Sequence, residues 1–143
     1  MISIVQMVGT CKGGEIMALF IVPGRLPGLN EYTTACRTNP HKGAKMKREA
    51  QERVEYAIIH AQNRGELPRR LRGPVLINYT FYEPNRRRDK DNIASFAHKV
   101  IQDALVHLRL LDNDGWSDVQ GWQDEFGVDR KNHRIVVVIK EPV

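Results

Sequence analysis

The sequence predicts an α/β (α+β) fold, a small mixed sheet carrying two main helices in the order β-α-β-α-β-β. Three observations predict it. Two stretches place apolar residues at helical spacing, three short runs are rich in apolar, mostly β-branched or aromatic residues, and no unit of about 20–50 residues repeats. At 143 residues, with 41% hydrophobic and 27% charged side chains, the chain is the size of one domain able to bury its own core.

Taken in order, residues 1–17 read as an N-terminal extension of doubtful structure and 18–143 as a single domain. The apolar start Met1 to Val8 runs into Gly9-Thr10-Cys11-Lys12-Gly13-Gly14-Glu15. Met17 is an alternative natural start, with Lys12-Gly13-Gly14-Glu15 then being the translation of a purine-rich ribosome-binding site. Ala18-Leu19-Phe20-Ile21-Val22, closed by Pro23-Gly24, has the length and boundary of a buried strand. Pro23 to Gly43 reads as a loop because Pro27-Gly28 and Asn39-Pro40 punctuate it. Such length suggests function.

Residues 44–62 form the clearest helix, with Met46, Ala50, Val54, Ala57, Ile58 and Ala61 on one side and Lys45, Lys47, Arg48, Glu49, Glu52 and Arg53 on the other. Asn63-Arg64-Gly65 stops it. The Arg-rich connector Pro68-Arg69-Arg70-Leu71-Arg72-Gly73-Pro74 leads into a strand from Val75 to Tyr82. A second helix is expected from about Ile93 to His107, carrying Ile93, Ala97, Val100, Ile101, Ala104, Leu105 and Leu108 on its apolar side. Asn113-Asp114-Gly115 is a turn, and strands are expected at Asp118 to Gln123 and Arg134 to Ile139.

Composition excludes several classes. No apolar run approaches the roughly 18 residues of a membrane span, and Cys11 and Cys36 are too few for a secreted disulfide scaffold and lack zinc-ligand spacing. With no signal-peptide pattern at the start, a reduced cytoplasmic protein is expected. The formal charge of +5 is uneven: residues 1–37 carry three basic and two acidic side chains, residues 38–90 thirteen and six, and residues 91–143 six and nine. A basic middle beside an acidic final third suits a polyanion held by one surface while carboxylates gather elsewhere.

Asp89, Asp91 and Asp114 are the candidate carboxylates. If the chain is extended at 89–91, the first two project from one side about 6–7 Å apart, a spacing suited to a shared divalent cation. Magnesium takes a few carboxylate oxygens, keeps waters and leaves room for substrate phosphate. The alternative is that Asp91 or Asn92 caps the following helix and that Asp114-Gly115 is only a turn. Arg86, Arg87 and Arg88 would steady the aspartates as anions and offer donors to phosphate, or else form a solvated turn. Asp91, Ser95, Lys99 and Asp103 make one polar stripe, so Lys99 can reach toward the carboxylates, although His98 is angularly nearer Asp91. Trp116, Trp122 and Phe126 read as packing residues rather than base-stacking platforms. His41, His60, His107 and His133 mark neither a triad nor a zinc site.

The run Arg87-Arg88-Asp89-Lys90-Asp91-Asn92, a helix with Asp103-Ala104-Leu105, and then Leu111-Asp112-Asn113-Asp114-Gly115-Trp116 resembles the RusA family of Holliday-junction resolvases, typically phage- or prophage-encoded. The early loop Pro23 to Tyr32, the basic helix and the final strand share in the resemblance, which spans about Ala18 to Lys140. It implies a homodimeric, magnesium-dependent endonuclease that nicks branched DNA symmetrically at a four-way junction in recombination and repair, with no organic cofactor and no membrane. It assigns the metal site to Asp89, Asp91 and Asp114, with Asp112 competing for the third place, and the essential lysine to Lys99, four residues before Asp103-Ala104-Leu105. The helix segment before that lysine looks one turn longer than in shorter members, and Ser95 stands four residues after Asp91. One turn moves a group by about 5.4 Å. Backbone phosphates would be held by Arg86, Arg87, Arg88, Lys45, Lys47 and Arg48. A DNA-binding module without nuclease activity, or a less selective metal-dependent nuclease, are the competing expectations.

Overall fold

The computed structural model describes residues 14–142. They form an α+β fold with elements β1 (Ile16–Pro23), α1 (Leu29–Thr38), α2 (Pro40–Asn63), β2 (Val75–Glu83), α3 (Lys90–His107), β3 (Val119–Val128) and β4 (Arg134–Lys140). The four strands lie in the order β1-β4-β2-β3. β4 runs antiparallel to both β1 and β2, whereas β2 and β3 are parallel. Parallel neighbours require a crossover, and α3 supplies it.

Alternation along the strands decides where the core lies. Phe20 and Val22 of β1, Ile77, Tyr79 and Phe81 of β2, and Ile135, Val137 and Ile139 of β4 join one cluster with Val54 and Ile58 of α2 and Val100, Ile101 and Leu105 of α3. The helices therefore pack on one face of the sheet, and their apolar stripes are those expected from spacing. Val136 and Val138, pointing the other way, form a smaller cluster with Leu19, Ile21 and Tyr82. No helix among the described residues is long and apolar enough to cross a membrane.

The main departure from expectation lies in residues 23–43, read as a loop. They contain α1 and the first turn of α2. Asn39 is extended (φ −163°) and ends α1, yet it also caps α2: its Oδ1 accepts the His41 N–H, and Pro40 occupies the first helical position. Asn-Pro is thus a helix start, in which proline's missing N–H costs nothing. Gly43 lets the two helices meet, since a Cβ there would collide with the Cys36 Sγ. Other boundaries moved less. α3 begins at Lys90 rather than Ile93, β3 continues to Val128, and β1 starts at Ile16, before Met17. The expectations for residues 1–13 lie outside the described residues.

Candidate metal and nucleic-acid site

The segment joining β2 to α3 is held from beneath by a buried ion pair. Glu83, the last residue of β2, meets Arg88 through two hydrogen bonds, Nε to Oε1 at 2.8 Å and Nη2 to Oε2 at 2.9 Å, with side chains only 6% and 11% exposed. The remaining Arg88 nitrogen donates to the Leu26 carbonyl (3.0 Å) and lies 3.7 Å from Glu31. Arg88 therefore fastens the 85–88 turn to the segment before α1, which corrects the expectation that it binds DNA: its donors are committed inside the protein. Arg86 and Arg87 are exposed and form no ion pair among the described residues.

Asp89 is the N-cap of α3, with extended backbone (φ −67°, ψ 154°), and Asp91 stands in the first helical turn. The premise of an extended chain through Asp91 is therefore wrong, because helix geometry begins at Lys90. Asp89 has the residue type that caps best, yet its side chain makes no capping hydrogen bond. Both carboxylates are exposed, and among the described residues neither makes a side-chain hydrogen bond or ion pair. The positive end of α3 favours these anions. Asn92, the other capping candidate, serves a different helix: its Oδ1 accepts the Asn30 N–H at 2.8 Å and so caps α1. Gly28 makes that contact possible, because a Cβ there would lie 2.6 Å from the same oxygen. A cleft of about 420 Å³ opens beside the turn, lined by Asn85, Arg86, Asp89, Lys90, Ile93 and Phe126 among others.

A second charged group sits further along α3. Lys99 Nζ lies 3.1 Å from Asp103 Oδ1 and 3.7 Å from Asp114 Oδ2, while Lys47 of α2 donates to Asp103 Oδ2 at 2.7 Å. The Asp103 hydrogen bond and charge, helped by Asp114 and only partly offset by burial, raise the Lys99 pKa. Burial alone would push Asp103 up, but Lys47 and Lys99 together hold its carboxyl below the ordinary 3.8. Lys99 is thus a fixed cation. Lys47 is engaged with Asp103 and is only 33% exposed, which corrects its placement among free phosphate contacts. Lys45 and Arg48 remain exposed, Lys45 3.8 Å from Glu49.

The geometry separates the members of two alternatives by their partners. Asp112 pairs with Arg70, so Asp114 is the carboxylate that meets Lys99. His98 points instead to the sheet, its Nε2 2.7 Å from Asp124 Oδ1 and its ring against Tyr79 and Trp122. Asp91 and Lys99 are eight residues apart, which places their Cα atoms about 12 Å apart along the helix axis. The predicted residues therefore divide into Asp89, Asp91, Arg86 and Arg87 at the start of α3, and Lys99, Asp114 and Lys47 beside its middle. Among the described residues no three His, Cys, Asp or Glu side chains are grouped to hold a metal ion.

The chain matches no family model and no curated protein.

Residues that sequence reasoning missed are chiefly partners. The i, i+4 spacing of Lys99 and Asp103 was visible, but nothing in the sequence linked Asp103 to Lys47, or Glu83 to Arg88. Of the three aromatic residues expected to pack, Phe126 does, its ring centroid 5.4 Å from that of Phe81. Trp116 does not, being fully exposed (100%), and Trp122 packs only in part, at 53% exposed.

Proposed function

We propose that this chain is a magnesium-dependent endodeoxyribonuclease that nicks branched DNA, acting as a homodimer on the four-way junction. The observation that carries this reading is the state of Asp89 and Asp91. They are exposed carboxylates at the start of α3, without a side-chain partner among the described residues, beside the exposed arginines Arg86 and Arg87. Two hard oxygen donors open to solvent fit magnesium, which needs few protein ligands and retains water and phosphate. Asp89 and Asp91 would hold the ion, which when bound acidifies an attacking water and offsets charge on the scissile phosphate.

The chain's own residues do the rest. Arg86 and Arg87 neutralise backbone phosphates, giving affinity that reads shape rather than base identity and weakens with salt. Lys99, kept protonated by Asp103 and Asp114, stabilises anionic charge and takes no proton. Asp114 orients Lys99 in this reading. A junction relates its strands by two-fold symmetry, which a two-fold dimer matches with one site per nicked strand.

A binding-only reading draws on the separation of Asp114 from the Asp89 and Asp91 pair. One assay separates the readings: nicking of a synthetic four-way junction and of linear duplex, with magnesium and with EDTA. The expected result is magnesium-dependent paired nicks in the junction, lost in Asp89→Asn while junction binding persists. Undiminished cleavage by Asp89→Asn would refute the assignment. Binding without nicking by the unaltered chain favours the module, and equal rates on linear duplex favour a less selective nuclease.

A further inference from the structure

A tryptophan left wholly in water forgoes the largest apolar burial a side chain can offer, and Trp116 is 100% exposed. Its loop is nevertheless braced. The Gly115 carbonyl accepts the N–H groups of Asp118 and Val119, both at 3.0 Å, and Asn113 Oδ1 accepts the Asp114 N–H at 2.9 Å. The Asp114 carboxylate anchors the loop to α3 through Lys99. The ring is thus held out by ordered backbone rather than carried on a slack chain.

The loop carries Asp112, Asp114 and Asp118, the first two paired with Arg70 and Lys99, and it adjoins a basic segment. The Arg-rich connector is stitched to it by Leu71 N–H donating to the Leu110 carbonyl (2.7 Å), Val75 N–H donating to the Asp118 carbonyl (2.9 Å), and the Arg70–Asp112 ion pair. Arg69, Arg70 and Arg72 are all exposed. An accessible aromatic face beside exposed guanidinium groups is the arrangement that binds unpaired nucleic acid: cations follow the phosphates while the ring stacks a base of any identity. Bases at a branch point have lost a stacking neighbour, whereas those within a linear duplex have not.

We propose that Trp116 is a stacking platform for a nucleobase at the branch point of DNA, with Arg72 of the connector, exposed and without an ion pair among the described residues, holding the adjoining phosphate. The ring thereby gives the chain its preference for branched over linear DNA. This rests on the DNA reading above. It concerns recognition alone and needs no metal.

The test measures binding in EDTA to a synthetic four-way junction carrying 2-aminopurine at the branch point, and to a linear duplex of equal length, for the unaltered chain, Trp116→Ala and Trp116→Phe. Base–aromatic stacking changes affinity by about 5- to 150-fold per base. Trp116→Ala is therefore expected to lose at least fivefold in junction affinity with duplex affinity unchanged, and Trp116→Phe to keep most of it. Tm should be the same in all three proteins, because the ring is fully exposed and packs against none of the described residues. In a Trp122→Phe background, Trp116 fluorescence should be quenched by the junction and not by the duplex. An unchanged junction-to-duplex ratio in Trp116→Ala overturns this inference alone. Failure of the unaltered chain to bind either DNA overturns the DNA reading and this inference together.

Discussion

Replacing Glu83 by leucine tests whether the β2–α3 turn is organised by a desolvated ion pair. Glu83 and Arg88 are both largely withdrawn from water, and two hydrogen bonds of 2.8 and 2.9 Å join them. Glu83→Leu leaves the guanidinium with one carbonyl, that of Leu26, and a distant Glu31 carboxylate. Breaking such a pair from one side costs about 3–5 kcal/mol, because an uncompensated charge stays buried. Against a total stability of about 5–15 kcal/mol, the variant should fold but unfold at clearly lower urea. The companion variant Glu83→Leu with Arg88→Met removes both charges and should recover most of the loss, with a coupling of about 2 kcal/mol or more in a double-mutant cycle. Urea unfolding followed by far-UV circular dichroism measures all four corners. A single-variant cost below about 1 kcal/mol, or a double variant no more stable than Glu83→Leu, would show that Arg88 is not committed to the fold and would return it to the surface arginines.

Other consequences are equally specific. Asn92→Ala should cost about 1 kcal/mol in urea unfolding, because α1 loses the carboxamide that accepts its Asn30 N–H. The Asp103 carboxyl is held below 3.8 in the folded chain, so its contribution to stability is present above that value and lost as pH falls through the lower folded pKa. Asp103→Asn should accordingly show a shallower loss of stability on acidification below about pH 4, measured by Tm across that range. Phe81→Ala, at a position 1% exposed between Tyr79 and Phe126, should cost about 3–5 kcal/mol by opening a cavity under α3. In DNA binding, Arg86→Ala should lower the slope of log affinity against log salt by about one, whereas Arg88→Met should not.

The two long helices were legible because helical periodicity is a local property. Met46, Ala50, Val54 and Ile58 repeat at intervals of four whatever the rest of the chain does, and the structure buries the last three of them. α1 was not legible, because only Ala35 of its ten residues is buried and its N-cap is a glycine. Its missing cap comes from Asn92, 62 residues away from Asn30, which no local pattern can announce. Asn39-Pro40 punctuates a loop as readily as it starts a helix, and only the fold shows that here it caps α2.

The candidate site divides along the same line. The sequence by itself determined the order of the elements other than α1, the closeness of Asp89 and Asp91 to the head of α3, the adjoining basic run, and the i, i+4 relation of Lys99 and Asp103, since each depends on spacing within one or two turns of chain. Only the tertiary structure decided which charges are free to act. It buries Arg88 against Glu83 and Leu26 and leaves Arg86 and Arg87 in water, gives Asp114 to Lys99 and Asp112 to Arg70, and turns His98 toward Asp124. It also leaves Trp116 fully exposed. The physical reason is that desolvation belongs to a place in the fold and not to a residue type: identical side chains two positions apart become a structural clamp or an exposed cation according to what distant segments pack around them.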